Sequence, residues 1–130
     1  MAKPTFNMRE PIYQQIIQYI KKMMIYGQIK PGDELPSRRE LARYLDVNPN
    51  TVQRAFSEME ERHWIYTEAG RPSRVTENHS LIEEMKAEWL NLTIHEFFEA
   101  LRRVDIPFET VERQLQQEMN CLIKEEDSHD

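Results

Sequence analysis

The chain is short of cysteine, glycine and long apolar runs, and each shortage excludes something. Cys121 is the only cysteine in 130 residues, so no disulfide can form within the chain. A reducing, cytoplasmic location is the expectation that follows. Cys121 itself falls in an apolar helical pattern and reads as a small core residue. The histidines His63, His79, His95 and His129 are scattered, without the spacing of a metal-ligand set. His95-Glu96 lacks the second histidine of a zinc-protease helix. With three glycines in all, there is no glycine-rich loop to cradle a phosphate. No catalytic residue, metal or cofactor is expected. The longest apolar runs are a few residues, too short to cross a membrane, and no charged-then-apolar leader opens the chain.

What is present fits a soluble globular protein: 39% of residues are hydrophobic and 31% charged. The net charge of −6 at first argues against a nucleic-acid partner. Its distribution reverses that. Residues 1–75 hold 12 basic and 9 acidic side chains, a balance of +3, whereas residues 76–130 hold 5 and 14, a balance of −9. A mildly basic front and an acidic back imply two jobs. The back half would be repelled by DNA.

The most informative stretch is Pro36-Ser37-Arg38-Arg39-Glu40-Leu41-Ala42 followed by Val47-Asn48-Pro49-Asn50-Thr51-Val52-Gln53-Arg54-Ala55. It predicts two short helices, about 37–45 and 49–62, joined by a tight turn. Ser37 and Glu40 form a capping box, and Leu41, Ala42 and Leu45 an apolar stripe. Asp46 falls where the turn needs a left-handed residue, a conformation Asp tolerates better than most. Asn48 is a good N-cap and Pro49 suits the first helical position. Val52, Ala55, Phe56 and Met59 then share one face, while Asn50, Gln53, Arg54 and Ser57 share the other. Asn and Gln can pair with adenine in the major groove and Arg with guanine. Arg38 and Arg39, opening the first helix of the pair, could reach a phosphate or guanine. Thr51 and the free N–H groups at the second helix's start suit a phosphate oxygen.

Before this pair, a helix is expected from about Glu10 to Tyr26 on the stripe Ile12, Ile16, Ile20 and Met23, with Gly27 as its stop. Gln28 to Leu35 is a connector with a Pro31-Gly32-Asp33 turn. After the pair, Trp64–Thr67 and Ser73–Thr76 predict a hairpin with Ala69-Gly70-Arg71-Pro72 at its tip. Three helices and a hairpin make a winged helix-turn-helix, in which Arg71 and Arg74 could reach the minor groove or backbone.

From Ser80 a second segment begins. Ser80 with Glu83 and Thr93 with Glu96 read as capping boxes that start separate helices. Their stripes are Leu81, Met85, Trp89 and Leu92, then Phe97, Phe98, Leu101 and Val104. Pro107 breaks the pattern, and Phe108, Val111, Leu115, Met119 and Leu122 form the last stripe, joined by Ile123. The acidic tail from Glu125 is expected to fray. So few residues cannot bury these side chains alone. A two-fold homodimer through Leu81, Met85, Trp89, Phe97, Phe98, Leu101, Phe108, Val111, Leu115 and Met119 is expected. The fold class is therefore mainly α: a winged helix-turn-helix over residues 1–76 and a small helical dimerisation domain over residues 77–130.

Residues 27–75 resemble the DNA-binding domain of the GntR family of bacterial transcription regulators. The resemblance rests on Gly27, Ile29, Pro31-Gly32-Asp33, Leu35-Pro36-Ser37, Arg39-Glu40-Leu41-Ala42, Val47, Asn50-Thr51-Val52, Arg54-Ala55, Met59-Glu60 and Gly70. The short helical tail and Val47-Asn48-Pro49-Asn50-Thr51-Val52 are most similar to the YtrA subfamily, whose members are usually repressors, often of operons for ABC transporters. The resemblance implies a double-stranded DNA operator as partner. It carries DNA-contact roles onto Arg39, Asn48, Asn50, Thr51 and Gln53, and wing-tip roles onto Gly70 and Arg71. Arg38 stands where many relatives are acidic, and adds a phosphate contact. Asp46 replaces the usual turn glycine, Pro49 a side chain that often touches DNA, and Pro72-Ser73 the second wing glycine. A small-molecule effector is compatible with such a regulator, but nothing in the sequence names one. The alternative function is a winged helix used as a protein-binding scaffold, against which the exposed Asn, Gln and Arg set counts.

Overall fold

Apolar residues recurring every three to four positions wind the first helix of the computed structural model, which describes residues 3–128. This is α1, Ile12–Ile25, whose Ile16, Ile17, Ile20, Met23 and Met24 are buried. It starts two residues later than expected, because Pro11 is its N-cap. The backbone before it is instead turned by Asn7, whose side-chain oxygen accepts from the N–H groups of Arg9 and Glu10. Gly27, at φ +72°, ends the helix, and the Gln28 N–H closes back on Met23 O at 2.9 Å.

The two short helices follow as α2, Arg38–Leu45, and α3, Pro49–Glu61. Both N-cap side chains accept from the first turn of their helices. The Ser37 hydroxyl accepts from Glu40 N–H at 3.0 Å, and Asn48 Oδ1 accepts from Asn50 N–H at 2.8 Å. Asp46 is left-handed at φ 57°, ψ 52°, and the Val47 N–H returns to Ala42 O at 3.0 Å. The hairpin is shorter than expected: β1, Ile65–Tyr66, pairs antiparallel with β2, Arg74–Val75, in the register Ile65↔Val75. A feature not foreseen supports it. The connector lies along the other edge of β2, with Gly32 N–H to Val75 O, Val75 N–H to Asp33 O and Leu35 N–H to Ser73 O, all at 2.8–2.9 Å. His63, at φ 63°, makes the turn from α3 into β1.

Two helices complete the chain: α4, His79–Leu101, and α5, Phe108–Ser128. Thr93 does not start a new helix; it lies within an unbroken α4, in which no Gly or Pro interrupts the backbone. The cap is Asn78 rather than Ser80, since Asn78 Oδ1 accepts the Ser80 N–H at 3.1 Å. The tail remains helical to Ser128, whose hydroxyl donates to Glu125 O. Cys121 is exposed, not a core residue.

The chain divides into two units, Met1–Trp89 and Leu90–Asp130. The first unit therefore runs further than residue 76. Its core joins α1, α2, α3 and the hairpin, and it also takes in Ile82 at 5% exposure and Met85 at 4%. Leu81 packs half-buried against the same cluster. Met85 is thus committed to this core and is withdrawn from the expected dimer surface, with Leu81 largely so. The second unit is the reverse. No residue of α5 is buried, and Leu90, Leu92, Ile94, Phe97, Phe98 and Phe108 are all exposed. Phe97 and Phe98 meet edge to face at 5.5 Å.

Candidate nucleic-acid interface

Helix α3 is presented by its own core face. Val52, Ala55, Phe56 and Met59 are 0–1% exposed, and burying the large ones contributes about 1.5–3 kcal/mol each. That fixes the opposite face outward. Asn50, Gln53, Arg54 and Ser57 are exposed on it, with Asn48 at its head and Thr51 half-buried. Gln53 donates to the Ser57 hydroxyl at 3.2 Å, so the two form one polar strip. The Asn48 oxygen is occupied by its cap; its amide hydrogens remain on the exposed head of the helix.

Arg54 is held rather than loose. Its guanidinium carbon lies 3.9 Å from the centroid of the Tyr13 ring, and Nη2 donates to the Tyr13 hydroxyl at 3.3 Å. Tyr13 comes from the start of α1, 41 residues away, and nothing in the local sequence signals the pairing. Between these elements opens a cleft of about 310 Å³, lined by Ile12, Tyr13, Asn48, Asn50, Thr51 and Arg54. Donors of three kinds, amide, hydroxyl and guanidinium, converge on it, and among the described residues no carboxylate lines it.

Arg38 does not join this set. Its Nη2 donates to Glu60 Oε1 at 2.8 Å, and its guanidinium lies 5.0 Å from the Phe56 ring centroid. The expected phosphate contact is replaced by an internal one. Glu60 also accepts from the Thr67 hydroxyl, which is bonded to Ser73. Glu60 thus ties the start of α2, the end of α3 and the root of the hairpin together, a role the sequence reading missed. Arg39 is exposed at the start of α2.

At the hairpin, Gly70 is exposed with φ +76°, and the Arg71 N–H closes the tip onto Glu68 O at 3.0 Å. Arg71 keeps a solvent-exposed ion pair with Glu68 at 3.5 Å, a contact that contributes little in water. Arg74 is different. It donates to Gly32 O at 2.9 Å and pairs with Glu34 at 2.6 Å, so it anchors the connector instead of reaching outward.

Comparison with known proteins gives this geometry a context. Residues 12–75 match the family described as bacterial regulatory proteins, gntR family. The HTH-type transcriptional repressor YtrA of Bacillus subtilis is 50% identical over 68 residues, which is 52% of this chain and 52% of that one. The HTH-type transcriptional regulator YhcF of the same organism is 33% identical over 101 residues, covering 78% of this chain and 84% of YhcF. A solved GntR family transcriptional regulator from Listeria monocytogenes superposes with a TM-score of 0.72 at 35% identity, over 86% of this chain and 98% of that one.

Proposed function

The chain belongs to the gntR family of bacterial regulatory proteins, in its YtrA subfamily, and from this we infer that it is a repressor that binds a near-palindromic operator as a homodimer. The observation that carries the reading is the capped, outward polar face of α3, with Arg54 already fixed by Tyr13. Asn50, Gln53 and Arg54 read base edges, and Thr51 with the N–H groups at the head of α3 holds a phosphate. Arg39 approaches from the start of α2, and Gly70 and Arg71 from the hairpin tip. Arg38 acts indirectly, by bracing the hairpin through Glu60.

Dimerisation is supported by the exposed apolar residues of the second unit. Exposed Phe97, Phe98, Phe108, Leu115 and Met119, with half-buried Leu101 and Val111, are the surface we assign to a second copy, and Trp89, which ends the first unit, is assigned to it as well. Two copies would set their α3 helices about 34–36 Å apart, one turn of DNA. An operon for an ABC transporter is the target class we propose, from the YtrA resemblance.

A mobility shift on the chain's own promoter at graded salt tests the function. Affinity should fall by about a thousandfold between 50 and 200 mM salt, as phosphate contacts release counterions. Arg39→Ala should weaken binding by about tenfold per half-site. Sedimentation should find a dimer, and Phe97→Glu with Phe108→Glu a folded monomer. Absence of any shift would sink the DNA reading; a monomeric unmutated chain would sink the dimer.

A further inference from the structure

A second cleft, of about 610 Å³, shares no lining residue with the one beside Arg54. Side chains from α1, the connector, α2 and α3 line it. Its chemistry is lopsided. Two aromatic rings, Tyr19 and Tyr44, face it with aliphatic neighbours, buried Phe56 closes it from beneath, and among the described residues its ionisable groups besides the phenols are the carboxylates of Glu34 and Glu40. Among the described residues, no Lys, Arg or His lines it. The Glu34 carboxylate is spent on Arg74 at 2.6 Å, whereas Glu40 is exposed at the mouth and contributes to its cap through its backbone N–H. One polar atom inside is unsatisfied: the Tyr19 hydroxyl is buried and has no hydrogen-bond partner among the described residues. Burial also pushes the Tyr19 phenol above its usual pKa, with Tyr44 adding to the effect. The hydroxyl therefore stays neutral and offers an oxygen lone pair.

Aromatic faces attract cations through their quadrupole, and this domain already uses Phe56 that way for Arg38. A carboxylate rim excludes anions. A phenol oxygen without a donor favours a ligand that brings one, because a buried polar group left unpaired is costly. We propose that the cleft binds a small organic ammonium ion, its apolar body against the Tyr19 and Tyr44 rings, an N–H donated to the Tyr19 oxygen and its charge facing Glu40. Such a ligand would press on Leu41 and Phe56, and so on α2 and α3. The binding claim does not depend on the DNA reading, since it is tested without DNA; only the regulatory consequence rests on it.

The test titrates three probes of similar size into the full chain by calorimetry: phenethylammonium, phenethyl alcohol and hydrocinnamate. The ammonium should bind about tenfold tighter than the alcohol, and the carboxylate should not bind measurably. Tyr19→Phe should weaken both the ammonium and the alcohol about fivefold, by removing the acceptor. Glu40→Gln should weaken the ammonium alone. Amide shifts at Tyr19, Leu41 and Tyr44 locate the site, and unchanged circular dichroism confirms that both variants fold. Equal affinities for the three probes, no ammonium binding by about 10 mM, or an ammonium affinity indifferent to both substitutions would overturn the proposal.

Discussion

Tyr13→Leu removes no group from the face assigned to DNA, yet it should weaken operator binding. Arg54 sits 3.9 Å above the Tyr13 ring and bonds its hydroxyl at 3.3 Å. An exposed cation–π contact is worth about 0.5–1 kcal/mol. The hydrogen bond is long, so it belongs at the low end of the usual range, about 0.5 kcal/mol. A free arginine has about 2 kcal/mol of rotamer entropy to lose, and the stack removes part of it before DNA arrives. About 1–1.5 kcal/mol per half-site follows, five- to tenfold in affinity. Two half-sites on one dimer double the free energy, to about 2–3 kcal/mol, or some 30- to 150-fold. The assay is a double-mutant cycle by fluorescence anisotropy on one operator at fixed salt. Arg54→Ala alone should cost about 1–3 kcal/mol per half-site. In that background Tyr13→Leu should cost nothing further, because the side chain it positions is gone. Tyr13→Phe keeps the stack and should lose about twofold at each half-site. Thermal unfolding of each variant separates a loss of fold from a loss of positioning. Strict additivity of the two substitutions would refute the reasoning.

Two further outcomes test the fold. Asp46 is left-handed, a conformation that costs most L-residues about 1–2 kcal/mol and Asp somewhat less. Asp46→Gly relieves that cost but frees the unfolded chain, by about 0.4–1 kcal/mol, so a net gain of about 0.5 kcal/mol and a rise of about 2–4 °C in Tm are expected; Asp46→Val should lower Tm. A fall with glycine would mean that the Asp side chain does something the turn geometry does not require. The second outcome is alkaline. Burial, then Tyr44, raises the Tyr19 pKa in the folded state. The neutral form is favoured by folding, so this contribution to stability is complete below about pH 10, the unfolded value, and is lost as pH rises toward the folded value. Urea midpoints should therefore fall on this leg, and Tyr19→Phe should flatten it. An identical slope in the variant would show that other groups cause the alkaline loss.

The parts of this fold that were legible in the sequence are those decided within a few residues. Ser37, Asn48 and Asp46 each satisfy a backbone need of their own neighbours, so their side chains announce the two helices and the turn between them. The parts not legible depend on partners far along the chain. Arg38 and Arg39 are adjacent and chemically identical, yet Glu60, 22 residues on, takes Arg38 inward and leaves Arg39 exposed. Met85 follows the same helical stripe as Trp89, but the stripe runs from a filled core to an open surface, and periodicity alone does not mark where that change falls. Thr93 shows a further limit. A capping box can start a helix, but it cannot end the helix already there. Here α4 runs on to Leu101, and Pro107, six residues further, stands at the head of α5, where its carbonyl accepts from the Thr110 N–H at 3.0 Å. Sequence reading was therefore dependable about which face of α3 looks outward, since that follows from its own buried residues. It was not dependable about which arginines are free to act there, and Tyr13 and Glu60, the side chains that decide this, carry no local mark of the role.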